Sequence, residues 1–155
     1  MKALVIAAAA ATLFATPALA SDFSGPRLEV TAGSDDVTRG VDLTDVTYGV
    51  GAGYDLQFGK VVVGAEAAVD NVFDRRDIGV GARVGYVLNE VLVYGKVGYS
   101  NWRHVRNVNL EGIRVGGGFE VNLSDKVYGK IEYRYTDFEG RTGKHGGLLG
   151  VGYRF

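Results

Sequence analysis

The sequence predicts an all-β chain, a closed eight-stranded antiparallel up-and-down β-barrel that crosses a membrane with its strands. Three observations carry this expectation. Apolar residues recur at every second position through most of the chain after Pro26. The opposite parity holds charged residues and most of the 24 glycines. Tight polar turns alternate with longer, more charged connections, which is the pattern of a transmembrane barrel.

A different kind of segment precedes the strands. Lys2 supplies a short positive start, Leu4 to Phe14 form an Ala-rich apolar run, and Ala18-Leu19-Ala20 is an A-x-A cleavage site. Such a segment is a secretion signal, cut after Ala20 so that the mature chain begins at Ser21. Residues 1–20 are therefore expected to be a cleavable signal peptide and residues 21–155 one barrel domain. The apolar run is too short to span a bilayer as a helix. No later stretch reaches the roughly 18 apolar residues that a helical span needs.

The alternation is period two, so each apolar set lies on one face of its strand. The first three sets are Leu28, Val30, Ala32; Val46, Tyr48, Val50, Ala52, Tyr54, Leu56; and Val61, Val63, Ala65, Ala67, Val69. Then come Ile78, Val80, Ala82, Val84, Tyr86, Leu88; Val91, Val93, Gly95, Val97, Tyr99; and Ile113, Val115, Gly117, Phe119, Val121, Leu123. The last two are Val127, Gly129, Ile131, Tyr133, Tyr135 and Gly147, Leu149, Val151, Tyr153, Phe155. No position in these sets is charged. The other parity carries Arg27, Glu29, Asp55, Glu66, Asp70, Arg83, Lys96, Arg114, Glu120, Lys130, Glu132, Arg134 and Arg154. Gln57 to Lys60, Asn89-Glu90 and Ser124 to Lys126 read as tight turns. Ser34 to Asp45, Asn71 to Asp77, Asn101 to Asn109 and Phe138 to Lys144 read as the longer loops.

Alternation alone does not say which face is inside. Size does. An eight-stranded barrel is only wide enough for side chains to fill it. Eight sets of Val, Leu, Ile, Tyr and Phe would not fit there, whereas glycines with a few long charged chains would. The charge-free face should therefore meet hydrocarbon, because so large an apolar surface would aggregate in water. Tyr54, Tyr86, Phe119, Tyr153 and Phe155 fall near the short-turn ends. Tyr99, Tyr133 and Tyr135, with Trp102, Phe73 and Phe138 beyond, fall toward the long-loop ends. Two such belts are expected where amphipathic rings settle at headgroup level.

Charge is nearly balanced, with 17 Lys+Arg against 18 Asp+Glu, so the chain has no nucleic-acid footprint. It has no Cys, and hence neither a disulfide framework nor a thiolate metal site. A Ser–His–acid unit needs the nucleophile within hydrogen-bond reach of its base. Ser100 and His104 share a parity, but His104 falls past the strand, and His145 has no serine beside it. Asp35, Asp36, Asp42 and Asp45 read as a solvated acidic loop, without the ligand order of a calcium loop. Arg103, His104 and Arg106 beside Trp102 form a basic loop suited to phosphate at headgroup height. No cofactor and no metal are expected.

Lys130-Ile131-Glu132-Tyr133-Arg134-Tyr135 and the terminal Leu148-Leu149-Gly150-Val151-Gly152-Tyr153-Arg154-Phe155 resemble the outer membrane protein A type barrel. That type lies within the wider outer-membrane β-barrel (opacity or porin-family) group. The resemblance covers residues 21–155 and implies the outer membrane of a Gram-negative cell. A C-terminal Phe with an aromatic two residues before it is similar to the signal read by the barrel assembly machinery. This implies that Tyr153 and Phe155 serve assembly, with periplasmic chaperones escorting the chain. The family's interior Glu and Arg/Lys cluster is matched by Glu66, Lys96, Lys130 and Glu132, with Arg83 adjacent. Arg114, Glu120 and Arg134 complete the expected lumen cluster. The chain ends with the barrel, without the peptidoglycan-binding domain of full-length members, so wall anchoring is not implied. The expected function is that of a monomeric integral barrel with a plugged polar lumen, bathed in outer-membrane lipid and lipopolysaccharide. Its role would be structural or in surface interaction. A narrow low-conductance porin and a lipid A-modifying enzyme are the alternatives.

Overall fold

The computed structural model describes residues 23–38, 44–71, 76–103, 109–138 and 142–155. They form eight strands: β1 (Gly25–Thr38), β2 (Thr44–Phe58), β3 (Val61–Asp70), β4 (Asp77–Leu88), β5 (Val91–Arg103), β6 (Asn109–Asn122), β7 (Val127–Phe138) and β8 (Thr142–Arg154). Each pairs antiparallel with its neighbour in sequence, and β8 returns to β1, so the sheet closes in the order β1 to β8. Arg27 opposite Arg154 and Thr38 opposite Gly143 bracket that closing seam. Closure leaves no strand edge unpaired, which hydrocarbon requires because it offers no hydrogen-bond partner.

The alternation places side chains as the sequence predicts. Leu28, Val84, Ile131 and Leu149 are exposed on the outside, and Phe119 is 55% exposed. Arg27, Asp55, Arg83, Glu120 and Glu132, on the other parity, are buried. Tyr86, Phe119, Tyr153 and Phe155 stand on the outer face toward the tight-turn end, where Tyr153 and Phe155 meet edge to face at 4.9 Å. Tyr99, Tyr133 and Tyr135 stand outward toward the other end. Two hairpins turn through a left-handed residue, Gly59 at φ 63° and Asn89 at φ 56°, which a two-residue reversal between twisted strands favours.

Strand ends differ from the sequence expectation. The longer connections shrink to residues 39–43, 71–76, 104–108 and 139–141, because pairing continues beyond the apolar stretch. The outward apolar residues stop where lipid stops, but backbone pairing does not need lipid. Three residues assigned to loops thereby join the interior. Asp35, Asp77 and Lys144 are buried, so Asp35 is no part of a solvated acidic loop. Parity already held the signal: Asp35 follows Glu29, Thr31 and Gly33, Asp77 precedes Gly79 and Gly81, and Lys144 precedes Gly146 and Leu148. Ala18, Ala20, Ser21, Asp42, Phe73, His104 and Arg106 lie outside the described residues, as do the side chains of Asp36, Asp45, Trp102, Arg103 and Phe138.

A cation at mid-height on the outer face should be costly. Val97 is 55% exposed in the middle of β5, opposite Ala82 and Val115. Val97→Arg is expected to destabilise the barrel by about 2–4 kcal/mol in lipid vesicles. Reversible urea unfolding measures this, and an unchanged midpoint would place Val97 away from hydrocarbon.

Candidate functional site: the lumen

Inside the barrel, among the described residues, eight cationic and eight anionic side chains pair with one another. They fall into two networks that share no ion pair. The division corrects the sequence expectation of one cluster, since Arg114 and Arg134 belong to a different network from Glu66, Arg83, Lys96, Glu120, Lys130 and Glu132.

The larger network lies toward the tight-turn end. Six of its members form a closed ring of alternating charge. Arg27 meets Glu29 at 2.8 Å and Glu66 at 2.7 Å, and Lys130 meets Glu29 at 2.6 Å and Glu132 at 3.1 Å. Lys96 completes the circuit at 2.6 Å from Glu66 and 2.7 Å from Glu132. The four residues matched by resemblance therefore do come together, with Arg27 and Glu29 closing their ring. Arg83 reaches that ring only through Asp55. Asp55 accepts from Arg27 Nε at 2.9 Å and from Arg83 Nη2 at 2.5 Å. Arg83 also pairs with Glu120 at 2.9 Å, and Glu120 with Arg154.

Two tyrosine hydroxyls donate to carboxylate oxygens that also accept from a cation. Tyr94 donates to Glu132 and Tyr128 to Glu29, each at 2.8 Å. The Arg83 guanidinium lies 5.1 Å from the Tyr94 ring centre and that of Arg154 lies 4.8 Å from Tyr128. Beneath them the tight-turn mouth is apolar, with Phe23, Val62, Leu92 and Tyr94 buried together. The Phe23 ring lies under Arg154 at 5.2 Å, and its backbone N–H donates to Gln57. Tyr94, Tyr128 and Phe23 were missed in the sequence. Tyr94 and Tyr128 sit on the charged parity, which marks them. Phe23 precedes the first strand, where alternation has no voice.

The smaller network lies toward the long-loop end and is a ring of six. Arg134 meets Asp35 at 3.0 Å and Asp70 at 2.6 Å, and Arg114 meets Asp70 at 3.4 Å and Asp77 at 2.5 Å. Lys144 links Asp35 at 2.8 Å to Asp77 at 3.8 Å, so the ring closes across β1, β7, β3, β6, β4 and β8. Thr47, Ser100 and Thr136 fill the remaining donor and acceptor positions. Ser100 donates to Asp77 at 2.5 Å and accepts from Arg114 at 3.0 Å, so its buried hydroxyl is a member of this ring.

Glycines make the room. A Cβ on Gly64 would collide with the Asp55 carboxylate, and one on Gly152 would enter the Tyr128 ring. Interior side chains thus lie against bare backbone on the neighbouring strand.

Residues 6–155 match the family model described as the outer membrane protein beta-barrel domain. The chain belongs to that family. It is an outer-membrane protein, and its relatives are named as such. It is 28% identical over 125 residues to the 25 kDa outer-membrane immunogenic protein of Brucella ovis, covering 69% of this chain and 62% of the relative. To the 22 kDa outer membrane protein of Rhizobium leguminosarum it is 29% identical over 121 residues, covering 61% and 56%. The chain thus spans less than two thirds of these relatives' lengths. Among solved structures, Neisserial surface protein A superposes with a TM-score of 0.61 at 14% identity, covering 84% of this chain and 97% of that one. The attachment invasion locus protein Ail of Yersinia pestis gives 0.59 at 18% identity, with the same coverage. The outer membrane enzyme PagL gives 0.55 at 10% identity, covering 82% and 99%. These likenesses establish the fold, which an outer membrane enzyme shares with a surface protein and an attachment invasion protein, so function must be argued from the interior.

Removing both members of an interior pair should cost less than the two single removals added together. Asp55 is fully buried between two arginines. Asp55→Ala is expected to cost about 3–5 kcal/mol, because it strands buried cations. Asp55→Ala combined with Arg83→Ala should cost less than the sum of the two, by about 1–3 kcal/mol of coupling. A double-mutant cycle from urea unfolding in lipid vesicles measures this, and strict additivity would refute the pairing.

Proposed function

We propose that this chain is a non-catalytic integral barrel whose lumen is plugged by its own ion pairs, serving the outer membrane as a structural and surface-contact component. One observation carries the reading: among the described residues the paired interior charges are equal in number, twelve of the sixteen in two closed rings and the other four in a branch from the larger ring. A buried charge is tolerated only when paired and hydrogen-bonded. A pore lined for ions would instead present unpaired charges or one prevailing sign to its water.

A non-catalytic role follows the same logic. A nucleophilic serine needs a base to take its proton. The acceptor that Ser100 meets is Asp77, a weak carboxylate base already held by Arg114 and Lys144, and the Ser100 hydroxyl itself accepts from Arg114. The outward band of Leu, Val, Ile and Tyr supports lipid as the surrounding partner, and lipopolysaccharide would meet the long-loop end. Tyr153 near the end of β8 and Phe155 just beyond it, in contact edge to face, support recognition by the assembly machinery before closure. The barrel acts as a monomer in this reading.

Purified protein in planar bilayers is expected to give at most small, infrequent openings. Large and steady conductance would favour the narrow porin instead. Lipid A from cells with and without the protein should have the same acyl pattern by mass spectrometry, and an altered pattern would establish an enzyme. A deletion strain should show raised sensitivity to detergent if the barrel supports the envelope.

A further inference from the structure

Between the two networks lies a cavity of about 30 Å³. Glu66 and Lys96 of the larger network and Arg114 and Arg134 of the smaller one border it. Ala68 on β3, the glycines Gly79, Gly81 and Gly98, and the outward residues Val80, Val97 and Tyr99 complete its lining. A cavity needs only about 10–15 Å³ and two to four polar partners to hold a water. This one meets both conditions, with cations on both sides.

We propose that the lumen is shut twice, by two closures that open independently on either side of a water-holding chamber. The proposal rests on the plugged-lumen reading and adds a division to it. Each network is neutral and closed on itself, so opening one leaves every ion pair of the other intact. The closures also differ in chemistry. The one toward the long loops is a ring of six charges with three hydroxyls. The other stands on an apolar floor of Phe23, Val62 and Leu92. A small solute could cross only if both yielded, whereas either alone would admit it to the chamber.

That asymmetry between access and passage supplies the test. The chain has no cysteine, so Ala68→Cys places a single thiol on the chamber wall. Asp70→Ala with Arg134→Ala removes a neutral pair from the smaller ring. Lys96→Ala with Glu132→Ala, together with Phe23→Ala, opens the larger closure and its floor. Folding is read by heat-dependent migration in SDS gels and by circular dichroism. With both closures intact, the thiol should react with a small water-soluble methanethiosulfonate about 100-fold more slowly than in the unfolded chain, on the scale of a local opening. Either closure variant alone should restore fast labelling and yet conduct no more than the parent in planar bilayers. The two combined should conduct.

A single-closure variant that both labels and conducts would overturn the proposal, since one barrier would then suffice. Rapid labelling with both closures intact would overturn it too, since no chamber would be shut. Steady conductance by the unaltered protein would instead refute the plugged lumen itself. Should the combined variant fail to fold, the two separate variants still decide through the contrast between labelling and conductance.

Discussion

Closure of eight strands on themselves is the constraint from which the rest of this structure follows. Lipid cannot satisfy a backbone N–H or C=O, so β8 must return to β1, as it does from Arg27 opposite Arg154 to Thr38 opposite Gly143. Eight strands enclose a lumen only side chains wide. Everything polar that the chain carries at membrane depth must be accommodated in that volume, and everything apolar must face away from it.

Narrowness then dictates the chemistry of the interior. Charges that cannot reach water must find each other, and long side chains can reach across only where the facing strand is bare. Arg27 extends over Gly53 and Lys130 over Gly150 to carboxylates on other strands. The partners are far apart in sequence, as with Glu29 and Lys130 or Asp35 and Arg134. Each circuit therefore ties strands that are not neighbours in the sheet, and adds cross-bracing that backbone pairing alone does not provide. The tyrosine hydroxyls of Tyr94 and Tyr128 complete the larger circuit at the apolar mouth.

The same constraint separates fold from role. An enzyme, a surface protein and an attachment protein share this barrel, since the outer face answers to lipid and not to task. The role of this chain is argued from within: two neutral rings, a floor of apolar residues and a serine drawn into an ion-pair circuit.

The sequence by itself determined the strand count, the parity of every strand, the apolar outer face and the identity of most interior charges. Val61 to Val69 or Ile78 to Leu88 could be read residue by residue, because period two is a local property that each strand carries alone. Asp35, Asp77 and Lys144 were legible by parity and lost to loops, since outward apolarity ends at the headgroups while pairing continues. Only the tertiary structure decided which charges meet. Strand register and barrel stagger set the height of each side chain, and one sequence position says nothing of its height against a strand a hundred residues away. Hence Glu66, Lys96, Lys130 and Glu132 appear as a ring only when Arg27 and Glu29 close it, while Arg114 and Arg134 separate into a circuit of their own.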